Sequence, residues 1–159
     1  MGILYLLLLV CISSNLTACN SDNANSSKAP QLSNSNSSSI TDSMKLKITI
    51  GDKVATATLN DNPTTKDFIS LLPLTLTLTD YHATEKISDL PKKLSAKDAP
   101  AGYKPSIGDI TLYAPWGNLA IFYKDFSYST GLISLGKITS GMEAVNVSGP
   151  VNAKFELVQ

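Results

Sequence analysis

From residue 44 onward, hydrophobic and polar positions alternate. In KLKITI (45–50) Leu46, Ile48 and Ile50 fall on one face, and KVATATL (53–59) alternates again after Gly51-Asp52. Successive side chains of a strand point to opposite faces, so two such runs around a Gly-first pair predict a β-hairpin with a tight turn. Asn62-Pro63-Thr64-Thr65 then reads as a helix start. Asn or Thr can accept from the first free amides, Pro63 is preset for the first turn, and Asp67 lies towards the positive end of the dipole. Phe68, Leu71 and Leu72 fall on one helical face, and Pro73 is expected to end the helix. LTLTLTD (74–80) alternates most cleanly, with Leu74, Leu76 and Leu78 opposite Thr75, Thr77 and Thr79. Residues 85–109, EKISDLPKKLSAKDAPAGYKPSIGD, read as a long connection with one brief helical turn around Leu90 to Leu94. Loops of that length are uncommon in compact domains and often functional. DITLY, NLAIFY, LISLGKI and VNAKFELV supply four further strands. Many short strands with one or two short helices predict a mainly β domain, a small barrel or sandwich.

The front of the chain follows other rules. GILYLLLLVCI (2–12) is apolar but too short to span a bilayer as a helix at about 1.5 Å per residue, and it has the length of a signal-peptide apolar region. Leu16-Thr17-Ala18-Cys19 follows and resembles the bacterial lipobox, in which cleavage precedes the cysteine and its sulfur is lipidated. No Lys or Arg precedes the apolar run. The expected organisation is a signal peptide over 1–18, a lipidated Cys19, a disordered tether over 19–43 and a folded domain over 44–159. The tether is dominated by Asn and Ser, which cannot bury enough apolar surface to offset backbone entropy. Two or three acyl chains would hold the protein stably on a membrane, each buried CH₂ contributing about 0.8 kcal/mol. Asn20 and Ser21 follow the cysteine, so the aspartate that retains many such lipoproteins at an inner membrane is absent there. The expected location is the cell envelope, lipid-anchored and exported.

Composition narrows the chemistry. Thirteen lysines balance thirteen acidic residues with no arginine, and both signs are interspersed, which argues against a nucleic-acid surface. Both cysteines, Cys11 and Cys19, lie in the first twenty residues, so the body holds no disulfide, cysteine metal site or thiol nucleophile. His82, the single histidine, has no companion ligands and is expected at the surface; no metal or cofactor is expected. No G-x-S-x-G elbow or phosphate-cradling glycine loop is present.

The DNPT helix start, the LPLTLTLTDY strand, the GD-x-x-x-Y-x-PWGN-x-x-x-FY hairpin and the S-x-GL-x-x-LG loop together resemble the bacterial cyclophilin-like family across residues 45–158. The resemblance implies a small closed β-barrel similar to that of cyclophilins, in a family described mostly by fold. True cyclophilins stabilise a twisted prolyl amide with an arginine in a groove on the barrel's outside. Without an arginine, that mechanism is disfavoured, because a lysine lacks the planar multi-donor fork.

Large apolar walls with polar tips make a binding pocket, and Tyr and Trp supply both. The candidate ligand-pocket residues are Tyr81, Glu85, Tyr113, Trp116, Tyr123 and Tyr128. YAPWGNLAIFY (113–123) is expected to be a hairpin turning near Trp116 to Asn118. The leading expectation is an envelope lipoprotein whose domain binds a small molecule or peptide. The alternatives are an enzyme, either a residual prolyl isomerase or an isomerase or hydrolase using Glu85 and tyrosines, and a structural partner in an envelope assembly.

Overall fold

A computed structural model describes residues 44–158. The signal peptide, Cys19 and the tether lie outside the described residues. Ten strands are present: β1 (Lys45–Ile50), β2 (Lys53–Leu59), β3 (Leu74–Tyr81), β4 (Glu85–Asp89), β5 (Gly102–Tyr103), β6 (Asp109–Tyr113), β7 (Asn118–Phe122), β8 (Ser129–Thr130), β9 (Leu132–Ser140) and β10 (Val151–Val158). Eight of them close into an antiparallel barrel in the order β1-β10-β3-β4-β7-β6-β9-β2, and β5 with β8 forms a separate two-stranded ribbon. One short helix, α1 (Pro63–Ile69), and a 3₁₀ turn (Met142–Ala144) complete the secondary structure of the described residues.

The alternation read from the sequence fills the barrel. Leu46, Ile48 and Ile50 of β1, Ala55, Ala57 and Leu59 of β2, and Leu76 and Leu78 of β3 all point inward and are buried. Gly51 turns the first hairpin with φ +59, a conformation glycine adopts without steric cost. Thr75, Thr77 and Thr79 face outward and are exposed. The helix start is as expected: Asn62 Oδ1 accepts from Thr65 N at 2.8 Å. Phe68 is fully buried and meets Phe155 of β10 edge to face at 6.4 Å, so the helix covers the barrel interior there.

Three expectations need correction. The helix ends at Ile69, capped by Ser70, and does not run to Pro73; Leu71 and Leu72 are partly buried just beyond it. Asp67 turns away from the helix start. Its carboxylate accepts from Lys92 Nζ at 2.6 Å and from Ser95 N at 2.8 Å, which ties down the segment after β4. That segment contains no helical turn at Leu90 to Leu94, and the first five residues of the supposed connection are strand β4.

β4 escapes the sequence pattern because its polarity is inverted. Its inward residue is Lys86, with no exposed surface, and its outward residue is Ile87. Lys86 Nζ donates to Asp80 Oδ2 at 2.9 Å and to the Gly149 carbonyl at 2.6 Å. Asp80 also accepts from Tyr123 Oη and from the Gly149 amide. A buried ammonium thus has two partners, which a charge out of water requires.

Candidate functional site

β6 and β7 are buried on both faces, which a simple barrel wall is not. Leu112, Leu119 and Ile121 face the interior, while Ala120 and Phe122 form a second apolar cluster on the outside with Leu132, Ile87, Tyr103 and Tyr113. Register explains how that outer face is assembled. Tyr81, Glu85 and Phe122 make one cross-strand row over β3, β4 and β7. Ile87 and Ala120 make a second, joined by Thr111 of β6. Asp89, Asn118, Tyr113 and Leu132 make a third over β4, β7, β6 and β9. Residues paired across adjacent strands share a face. The rows therefore bring side chains from five strands, β3, β4, β6, β7 and β9, onto one patch.

A cavity of about 550 Å³ opens on this patch. Ile87, Phe122 and Leu132 line it with apolar surface, and Tyr81, His82, Thr84, Glu85, Tyr113, Trp116, Asn118, Phe126 and Ser129 complete the lining. Trp116 sits on the turn between β6 and β7, which Gly117 closes by donating to the Tyr113 carbonyl at 2.8 Å. The indole is 57 % exposed. Its ring stands edge to face with Tyr113 at 5.3 Å and with Tyr81 at 5.7 Å. Tyr81 in turn meets His82 at 4.3 Å and 90°. The rings therefore form adjoining walls at right angles, an arrangement aromatic quadrupoles favour.

Of the polar groups in the lining, Glu85 is desolvated and Asn118 lacks a partner that burial demands. Burial pushes the Glu85 carboxyl up to about 7. Asn118 is 3 % exposed, and its Oδ1 has no hydrogen-bond partner; its amide nitrogen reaches only the Leu119 carbonyl at 3.5 Å. A buried acceptor without a donor costs about 1–3 kcal/mol. The turn before Glu85 adds strain, since His82 and Ala83 hold φ of 47 and 50. Each costs a non-glycine residue about 1–2 kcal/mol.

Four of the six residues singled out in the sequence thus share the cavity: Tyr81, Glu85, Tyr113 and Trp116. Tyr123 does not line it. One position past Phe122, it turns to the other side of the sheet, donates to Asp80 at 2.9 Å, and lines a shallow depression with Ala83 and Asn146. Burial, Asp80 and Glu85 together push its phenol up. Tyr128 also lies outside, exposed against Gly102. His82 is exposed, as expected, but at the cavity's edge. Sequence reasoning missed Ile87, Phe122, Phe126 and Leu132. Only the pairing of β4 and β9 with their neighbours would have found Ile87 and Leu132.

Behind the cavity, Asp109 is buried and accepts from Tyr103 Oη at 2.9 Å and from Ser106 N at 2.7 Å, with Lys137 Nζ at 3.1 Å from its other oxygen. Burial, then Asp109, pushes the Tyr103 phenol up. These bonds fix the loop that backs the outer cluster. Among the described residues, no group of three or more His, Cys, Asp or Glu side chains could hold a metal ion. No helix among them is long and apolar enough to cross a membrane.

A family model described as the cyclophilin-like family matches residues 48–156. No curated protein matches the chain. Among solved structures, the solution structure of the hypothetical protein AF2241 from Archaeoglobus fulgidus is similar in fold, with a TM-score of 0.52 and 14 % identity, covering 72 % of this chain and 94 % of that one.

Proposed function

The chain belongs to the cyclophilin-like family, and we propose on that premise that it is an envelope lipoprotein whose barrel binds a small molecule or peptide in the outer-face cavity. One observation carries the reading: a strained turn residue, His82, the half-exposed Trp116, a desolvated carboxyl, Glu85, and Asn118 with its unpartnered amide oxygen all line one concavity. Features that cost folding energy accumulate where function requires them. The cavity volume is of the order of ligand sites, roughly 300–1,000 Å³, with apolar walls and few polar groups. An amide-resolved NMR titration of the full chain with the small-molecule fraction of its native host tests it. Shifts should gather at Tyr81, Glu85, Ile87, Tyr113, Asn118 and Phe122; shifts centred on β1, β2 and β10 would refute it.

The lipid anchor is supported by Leu16-Thr17-Ala18-Cys19 and the apolar run before it. Cys19→Ala is expected to move the protein from the membrane to the soluble fraction. Unchanged membrane attachment of that variant would contradict the anchor.

Catalysis is a second reading, favoured by Glu85, since a carboxyl near 7 is matched to general acid–base work at neutral pH. Prolyl isomerisation by the cyclophilin route has no arginine to use in this sequence. The full chain is therefore expected to leave the isomerisation rate of a prolyl peptide at its uncatalysed value, and a clear acceleration would restore that activity.

A further inference from the structure

The cavity's polar chemistry is one-sided. Its lining contains a carboxyl, Glu85, and the rings of Tyr81, Tyr113 and Trp116, and it contains no lysine. The lysine next to Glu85 in sequence, Lys86, points the opposite way, into the barrel, where Asp80 and Gly149 hold it. An anionic ligand would meet the Glu85 charge with no ammonium to offset it. A cation would meet a carboxylate and ring quadrupoles with negative faces. Ring faces bind ammonium groups, most strongly when water is excluded. The right-angled walls at 5.3 and 5.7 Å leave more than one ring to contribute.

We propose that the cavity is a receptor site for a small organic ammonium ion, its charge beside Glu85 and the rings of Tyr81, Tyr113 and Trp116. The proposal rests on the cavity being a ligand site and adds the class of ligand. It also gives the desolvated Glu85 carboxyl a counter-charge. The remaining apolar lining, Ile87, Phe122 and Leu132, suits a hydrocarbon or aromatic body behind the amine. Binding has a required pH dependence. The titratable groups sharing the cavity with Glu85 are Tyr81 and His82 from β3 and its turn and Tyr113 from β6, with Tyr123 close by on the other side of the sheet, and none is a permanent cation. Affinity should therefore rise with pH as Glu85 ionises and level off above about 7.

The test uses three ligands of nearly the same shape: benzylammonium, benzyl alcohol and benzoate. Trp116 is the only tryptophan, so the intrinsic fluorescence of the full chain reads the site directly. Benzylammonium is expected to bind at least about tenfold more tightly than benzyl alcohol, with benzoate weakest. Glu85→Gln should weaken benzylammonium roughly ten- to hundredfold, remove its pH dependence and leave benzyl alcohol unchanged. A thermal melt of the variant confirms that it is folded. If the alcohol or benzoate binds as tightly as the ammonium, the charge assignment is overturned while the cavity stands as a ligand site. If Glu85→Gln binds benzylammonium like the wild type, the role of Glu85 is overturned. If none of the three perturbs Trp116 at millimolar concentration, the ammonium proposal is wrong, and the NMR titration judges the cavity separately.

Discussion

Asp80→Ala is expected to lower the unfolding free energy by about 3 kcal/mol, whereas Lys86→Met should change it by less than about 1 kcal/mol. The asymmetry follows from which charge is buried. Lys86 has no exposed side-chain surface, while Asp80 is 36 % exposed at the barrel's end. Without Asp80, the ammonium keeps only the Gly149 carbonyl, and Tyr123 Oη and the Gly149 amide lose their acceptor as well. Removing one partner of a buried pair leaves an uncompensated charge, at a cost of roughly 3–5 kcal/mol; water reaching the Asp80 side takes the lower end. Methionine in place of Lys86 removes the buried charge itself, and Asp80 keeps Tyr123, the Gly149 amide and solvent. Urea unfolding of both variants measures the two effects. Equal losses would mean that the pair is a net source of stability and not a compensated burial. The Lys86 hydrogen bond, then that of Tyr123, holds the Asp80 carboxyl below its ordinary range. The stability it confers is full above the ordinary carboxylate pKa and is lost as pH falls through the lowered folded value.

Glu85→Gln should do the opposite, and in a different pH window. Burial raises this carboxyl from 4.5 to about 7, so the folded state holds a proton that the unfolded chain has released between those values. Stability must therefore fall as pH rises from about 4.5 to 7. The full loss is about 2 kcal/mol, allowing for the solvent that screens a half-buried group. Glutamine keeps the shape and cannot ionise. At pH 8 the variant is expected to melt about 5–10 °C higher than the wild type, with the difference vanishing near pH 4.5. Parallel melting curves across that range would contradict the burial of Glu85. A residue that destabilises its own fold at neutral pH is held there by something other than stability, and the cavity beside it is the natural reason.

The sequence disclosed the barrel where alternation was clean and hid it where the site intervened. β1, β2 and β3 each have an apolar inward face and a polar or exposed outward one, so their period of two is plain. In β4 the inward Lys86 and the outward Ile87 cancel that signal. β6 and β7 read as strands, yet their burial on both faces followed from the outer cluster and not from alternation. Trp116, Tyr113, Tyr81 and Glu85 were recognisable as candidates by residue type. What joined them was the register of β3, β4, β6 and β7, which no local pattern states. Tyr123 and Tyr128 had the same residue type and went elsewhere. For Tyr123, the step from Phe122 changes the face, since one residue along a strand reverses the side chain's direction. Asn118 stood out in the sequence only as a polar residue of the hairpin. Its importance lies in a missing partner, visible only once its neighbours are in place.

The central claim is that this outer-face cavity, and not the barrel as such, carries the function. The most direct measurement is native mass spectrometry of the full chain purified from its own host, wild type beside Trp116→Ala, with a thermal melt showing that both are folded. The account predicts a bound small molecule or peptide on the wild type and its loss from the variant. Equal retention of the same ligand by both proteins would contradict it.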